Sequence, residues 1–130
     1  MPNRIIRPEI LTSEKVDRLS LEAEVFYRRL MSVVDDYGRF HANPLLLLSA
    51  CFPLRVHRLQ PEQVAGWMQE CLDADLLIHY RVDDRSYLEV AQFRQRTRAK
   101  DSRFPDPPGA VPSDDRHVTA MRPADAHVDV

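Results

Sequence analysis

The chain has 130 residues, 44% of them hydrophobic and 29% charged, with a net charge of −2. Those values suit one soluble domain with a modest core and a tail, and they exclude a fibrous or wholly disordered chain. The longest apolar run, Pro44 to Pro53, is about half of what a bilayer span requires, and no charged-then-apolar leader is seen, so a cytoplasmic protein is expected.

Met1 to Leu11 reads as an extended arm, with Ile5, Ile6, Ile10 and Leu11 as apolar anchors and Pro2 and Pro8 opposing helix. Thr12 to Arg18 has room for one or two helical turns. Ser20 is a good N-cap for a first long helix reaching about Asp36, and Glu22 and Glu24 suit the positive end of its dipole. Ala23, Phe26, Leu30, Val33, Val34 and Tyr37 recur at spacings of three and four and form its inner stripe, with Gly38 as the left-handed residue that stops it. Arg39 to Ala42 predicts a short edge strand.

Asn43-Pro44 starts a short second helix that ends before Pro53, its leucine run predicting burial on most sides. Leu54 to Leu59 is a connector carrying Arg55, His57 and Arg58. Gln60-Pro61 opens the third helix, over 61–73, with Val64, Trp67, Met68, Cys71 and Leu72 inside and Gln63, Gly66, Gln69, Glu70 and Asp73 outside. Leu76 to Val82 and Ser86 to Val90 then read as a hairpin turning at Asp83-Asp84-Arg85. The expected core includes Phe26, Leu30, Val33, Leu46, Leu47, Trp67, Met68, Leu72, Leu77 and Tyr87.

Helices followed by a third helix and a hairpin are the element order of an α+β winged helix-turn-helix: three main helices, a β-hairpin wing and an extended N-terminal arm. The division is then 1–18 for the arm, 19–93 for the winged-helix domain, 94–104 for a basic strap and 105–130 for a disordered acidic tail. Charge follows that division. Residues 1–93 sum to −3; residues 94–104 carry Arg94, Arg96, Arg98, Lys100 and Arg103 against Asp101; residues 105–130 sum to −3. A local cluster governs phosphate binding more than the whole-chain sum does.

Those features nominate duplex DNA as a ligand. Gln63 and Gln69 carry amides that can read adenine edges if the third helix enters a major groove. Arg55 and Arg58 precede that helix within reach of phosphates. Arg81 and Arg85 flank the hairpin turn, and Arg94, Arg96, Arg98 and Lys100 form the strap. Glu70, Asp73, Asp83 and Asp84 oppose this reading. An adaptor that grips a host or phage protein, or a transcriptional regulator of the same fold, is the alternative. An apolar arm around Ile5 and Ile6 could add to a sheet edge and form a homodimer.

Catalysis is not expected. His41, His57, His79, His117 and His127 make no metal-ligand spacing with Cys51 and Cys71, no glycine-rich phosphate loop exists, and no cofactor site is read. Both cysteines sit among apolar neighbours and read as buried, reduced thiols.

The chain resembles the winged-helix domain of phage replication proteins of the replisome-organiser or primosomal initiator type. The residues that carry the resemblance are Arg4-Ile5-Ile6-Arg7-Pro8-Glu9, Leu19-Ser20, Asp35-Asp36-Tyr37-Gly38-Arg39 and Phe52-Pro53. They continue in Ala74-Asp75-Leu76-Leu77, Tyr80-Arg81-Val82-Asp83-Asp84, Tyr87-Leu88 and Phe93-Arg94-Gln95-Arg96. Asp75 stands where family members usually carry glycine, at a corner that favours a left-handed residue. The resemblance implies DNA binding in replication initiation, in a bacterial host cytoplasm, with the replicative helicase or its loader as a protein partner. The tail is shorter than the recruiting segment of longer members.

Overall fold

The computed structural model describes residues 8–93 and 102–108. Its elements are a 3-10 turn at Pro8–Leu11, α1 (Glu14–Asp17), α2 (Leu21–Val33), β1 (Arg39–His41), α3 (Pro44–Cys51), α4 (Pro61–Asp73), β2 (Leu77–Val82) and β3 (Arg85–Val90). This is an α+β arrangement: helices on one side of a three-stranded antiparallel sheet in the order β1-β3-β2. No helix among the described residues is long and apolar enough to cross a membrane.

Local chemistry sets most element boundaries. The Ser20 hydroxyl accepts from the Ala23 N–H at 3.1 Å and opens α2. Asn43 Oδ1 accepts from Leu45 and Leu46 N–H at 2.8 and 3.2 Å and opens α3, whose first residue is Pro44. At α4 the Gln60 N–H donates to Gln63 Oε1 at 2.8 Å, so a third-position side chain caps the helix start. Helix α4 ends in a Schellman turn: Leu76 N–H returns to Cys71 O at 2.9 Å and Asp75 N–H to Leu72 O at 3.0 Å. Asp75 takes the left-handed conformation this turn needs, with φ 62°. The short-chained carboxyl residue tolerates what glycine would adopt freely.

The core lies between the helices and one sheet face. Ala23, Phe26, Tyr27 and Leu30 from α2 meet Leu47, Leu48 and Cys51 from α3, Val64 and Cys71 from α4, and Leu77, Leu88 and Val90 from the sheet. Phe26, Leu30, Leu47, Val64, Cys71 and Leu88 are completely inaccessible. Cys51 and Cys71 are free thiols, and burial pushes both up to about 12.

Several expectations need correction. Residues 8–11 are not extended but form a 3-10 turn; the rest of the arm, with Ile5 and Ile6, lies outside the described residues. Helix α2 stops at Val33, short of Asp36, because Val34 is extended. Gly38 is left-handed, φ 79°, but it closes the separate Asp35–Gly38 turn rather than the helix. Tyr37 therefore lies outside α2 and is half-buried, as is Val33.

Leu45 and Leu46 are 57% and 44% exposed, because a helix of two turns packed on α2 and α4 must show its remaining side to solvent. Leu46 is thus not core. Trp67, Met68 and Leu72 are half-buried at its margin, and Trp67 lies against the Phe52 ring at 5.6 Å. The hairpin turn is the two-residue loop Asp83-Asp84, with φ of 54° and 66°, the signature of a type I′ turn; Arg85 pairs with Val82 inside the ladder.

The largest correction concerns the tail. Residues 105–108, placed by composition in a disordered segment, pack with Ser102–Phe104 on the sheet face that the helices leave open. Strand alternation places Arg39, His41, Tyr80, Tyr87 and Glu89 on that face. Residues 109–130 lie outside the described residues.

Candidate nucleic-acid interface

The connector between α3 and α4 is fixed at its base and open at its tip. Pro53 cannot extend α3, and Arg55 N–H bonds back to Phe52 O at 2.9 Å. Arg58 and Leu59 N–H both return to Arg55 O, at 2.9 and 3.0 Å, so the segment is folded on itself. Arg29 of α2 holds the base, donating from Nη1 to Cys51 O at 2.8 Å with its guanidinium 4.6 Å from the Phe52 ring centre. Arg55, His57 and Arg58 are exposed, and among the described residues neither arginine pairs with a carboxylate. The structure therefore brings Arg55 and Arg58 together on one turn, immediately before α4.

The exposed face of α4 carries Glu62, Gln63, Gly66, Gln69 and Asp73. Both glutamines have local partners. Gln63 spends its carbonyl on the helix cap, and Gln69 Nε2 donates to Asp73 Oδ1 at 2.9 Å. Reading adenine needs a donor and an acceptor from the same amide, so each glutamine would have to release one bond first. Glu70 was expected outside, where it would repel phosphates. It turns inward and accepts from the Ser20 N–H at 2.7 Å and the Ser20 hydroxyl at 3.0 Å.

On the hairpin, Arg81 and Arg85 are exposed, with Arg81 Nη1 donating to the Ser86 hydroxyl at 3.2 Å. Asp83 and Asp84 sit between them at the turn, equally exposed. Arg94, Arg96, Arg98 and Lys100 lie outside the described residues.

A second site escaped sequence reasoning. Asp35 is buried at the hub of the outer sheet face. Its Oδ1 accepts from Tyr37 and Arg39 N–H at 2.9 and 3.0 Å. Its Oδ2 accepts from the Ser102 hydroxyl and from Arg103 N–H at 3.1 Å.

Arg39, 3% exposed, reaches Glu89 at 3.3 Å and Asp106 at 2.7 Å. Burial alone would lower its pKa, but the two carboxylates hold it above the ordinary arginine value. The Tyr80 hydroxyl donates to Pro105 O at 2.8 Å, and burial raises its pKa despite the nearby Arg39 cation. The Phe104 ring meets His41 edge-on at 5.0 Å and Tyr87 at 6.1 Å. The available signal was a lone phenylalanine, Phe104, among prolines and charges, opposite strands whose polar positions alternate with apolar ones.

No family model, curated protein or solved structure matches the chain.

Proposed function

We propose that the chain is a winged-helix protein that docks on duplex DNA in phage or prophage replication initiation. The connector arginines, the N-terminal half of α4, the hairpin arginines Arg81 and Arg85, and the basic stretch Arg94, Arg96, Arg98 and Lys100 supply the contacts. The observation that carries this reading is the turn bearing Arg55 and Arg58, two exposed cations with no described carboxylate partner at the approach to α4. Exposed guanidinium groups without partners suit phosphate oxygens, which take charge-assisted bonds from them.

The acidic balance of residues 1–93 is a weaker objection than the residue count implies, since Asp35, Glu70 and Glu89 accept bonds within the fold. A role in replication is supported by the family resemblance alone. The replicative helicase or its loader would be the protein partner in that role.

The test is fluorescence anisotropy with a labelled duplex over a range of salt. Affinity should fall with a log–log slope of about −0.9 per phosphate contact, and Arg55→Ala with Arg58→Ala should flatten the slope by about two contacts. Footprinting at a replication origin against a promoter separates an initiator from a transcriptional regulator.

One observation favours the adaptor reading: Leu54 and Val56, on the same connector, are 84% and 46% exposed, and Leu45 and Leu46 of α3 are exposed as well. Absent or salt-independent duplex binding would leave that reading standing.

A further inference from the structure

We infer that the outer face of the sheet is a peptide-docking groove that takes an extended Phe-Pro-Asp-Pro segment from a partner protein, and that Ser102–Pro108 fills it in cis. The segment adds no strand to the sheet. It is held instead at separate points, each with its own chemistry. Asp35 receives a hydroxyl and a backbone N–H. The aromatic surface of Phe40, His41 and Tyr87 receives the Phe104 ring. Tyr80 donates to the carbonyl of Pro105, and Arg39 to the Asp106 carboxylate. Pro107 is buried.

This is the pattern by which a groove selects a peptide: a carboxylate that orders the backbone, an aromatic seat, a hydroxyl for one carbonyl and a cation for one acid. Removing the segment strips the buried Tyr80 hydroxyl and one arm of the buried Arg39 of their partners and bares an aromatic surface, so the face requires an occupant of this chemistry. Access for a competitor begins at Asp106, whose side chain is 45% exposed while its partner Arg39 is 3% exposed. The eight residues between Phe93 and Ser102 tether the cis segment. A tether of that length gives an effective concentration on the order of a millimolar, which a partner in trans must outcompete.

The full chain carrying Phe104→Ala and Asp106→Ala keeps every groove residue and lacks the cis anchors. A fluorescent peptide with the sequence of residues 102–108 should bind this variant roughly tenfold or more tightly than it binds the wild-type chain. Adding Tyr80→Phe should weaken that binding by about fivefold, and a peptide with alanine in place of its phenylalanine and aspartate should not bind. Equal or absent binding to both chains, or indifference to Tyr80→Phe, overturns the inference. Should the double variant lose its helical circular dichroism, Asp106→Ala alone takes its place, and failure of the peptide to bind it more tightly than wild type overturns the inference equally. A wild-type chain that sediments as a dimer, with the dimer lost in the variant, would assign the groove to a second copy and overturn the assignment to a separate partner.

Discussion

Glu70 and Ser20 close α2 and α4 against each other: the carboxylate of one helix accepts both the backbone N–H and the hydroxyl of the other helix's cap residue, at 2.7 and 3.0 Å. The same hydroxyl oxygen accepts from Ala23 N–H at 3.1 Å, so one serine links the start of α2 to a charge on α4. Glu70→Ala leaves the Ser20 N–H without its acceptor and should cost about 1–3 kcal/mol in a urea melt followed by Trp67 fluorescence. Duplex affinity should be unchanged in the same variant. A gain in affinity would mean that Glu70 acts on phosphates rather than on Ser20.

Core position ranks the aromatic side chains. Phe26 is completely buried, whereas Trp67 is half-buried against Phe52 at the core margin. Phe26→Ala should cost about 3–5 kcal/mol, and Trp67→Ala about 2–3 kcal/mol because solvent already reaches part of the ring. Urea melts of the two variants followed by circular dichroism should preserve that order.

Left-handed backbone at non-glycine residues marks places where the fold can gain stability. Asp75 and Asp84, with φ of 62° and 66°, occupy a helix C′ position and the second residue of a type I′ turn. Asp75→Gly and Asp84→Gly relieve about 1–2 kcal/mol of strain each, partly offset by the greater freedom of glycine in the unfolded chain. A net gain of about 0.5–1 kcal/mol is expected for each in thermal melts. Gly38→Ala should act in the opposite sense, since φ is 79° and a Cβ there would come within 3.0 Å of the Phe93 ring.

Alkaline pH should unfold the protein through groups whose protonated forms the fold favours. Burial pushes Cys51, Cys71 and Tyr27 up to about 12, from ordinary values of 9.0 for the thiols and 10.0 for the phenol, and it raises Tyr80 as well. Above pH 9 the unfolded chain releases these protons first, so the native state binds more protons and stability falls as pH rises. The contribution is complete below about pH 9 and declines towards pH 12, by about 1.4 kcal/mol per pH unit for each group in its titrating range. Urea melts at pH 7, 9 and 10.5 would show it. Both cysteines should also resist alkylation at pH 8 until the chain is unfolded.

Sequence reasoning worked where local chemistry sets the structure. Asn43-Pro44 and Gln60-Pro61 marked the starts of α3 and α4 to the residue, because a cap followed by proline leaves little choice of where a helix begins. The left-handed corner at Asp75 was expected from the family resemblance, whose members usually carry glycine there, and φ is 62°. It failed where the deciding contact lies far along the chain. Glu70 looks like a surface charge until Ser20, 50 residues away, is placed beside it.

The exposure of Leu45 and Leu46 could not be read from a run of leucines without a period. Arg39 likewise looks like a surface cation until Asp106, 67 residues away, is placed beside it. The connector arginines Arg55 and Arg58 were legible as cations before a helix. The local bonds that occupy Gln63 and Gln69 were not, since they depend on which way each amide turns.

The strand order has a consequence for how the chain is made. β3 is central, yet it is the last strand among the described residues, and its neighbour β1 precedes it by more than forty residues. A ribosome releasing this chain from the N-terminus exposes α2, α3 and α4 before any sheet can assemble, and the hairpin then has to capture a three-residue strand already in solution. Loop closure of that length slows sheet formation relative to the helices. The aromatic outer face stays bare until Pro108 has left the exit tunnel, so a synthesis intermediate truncated near Phe93 would present Tyr80, Tyr87 and His41 to chaperones.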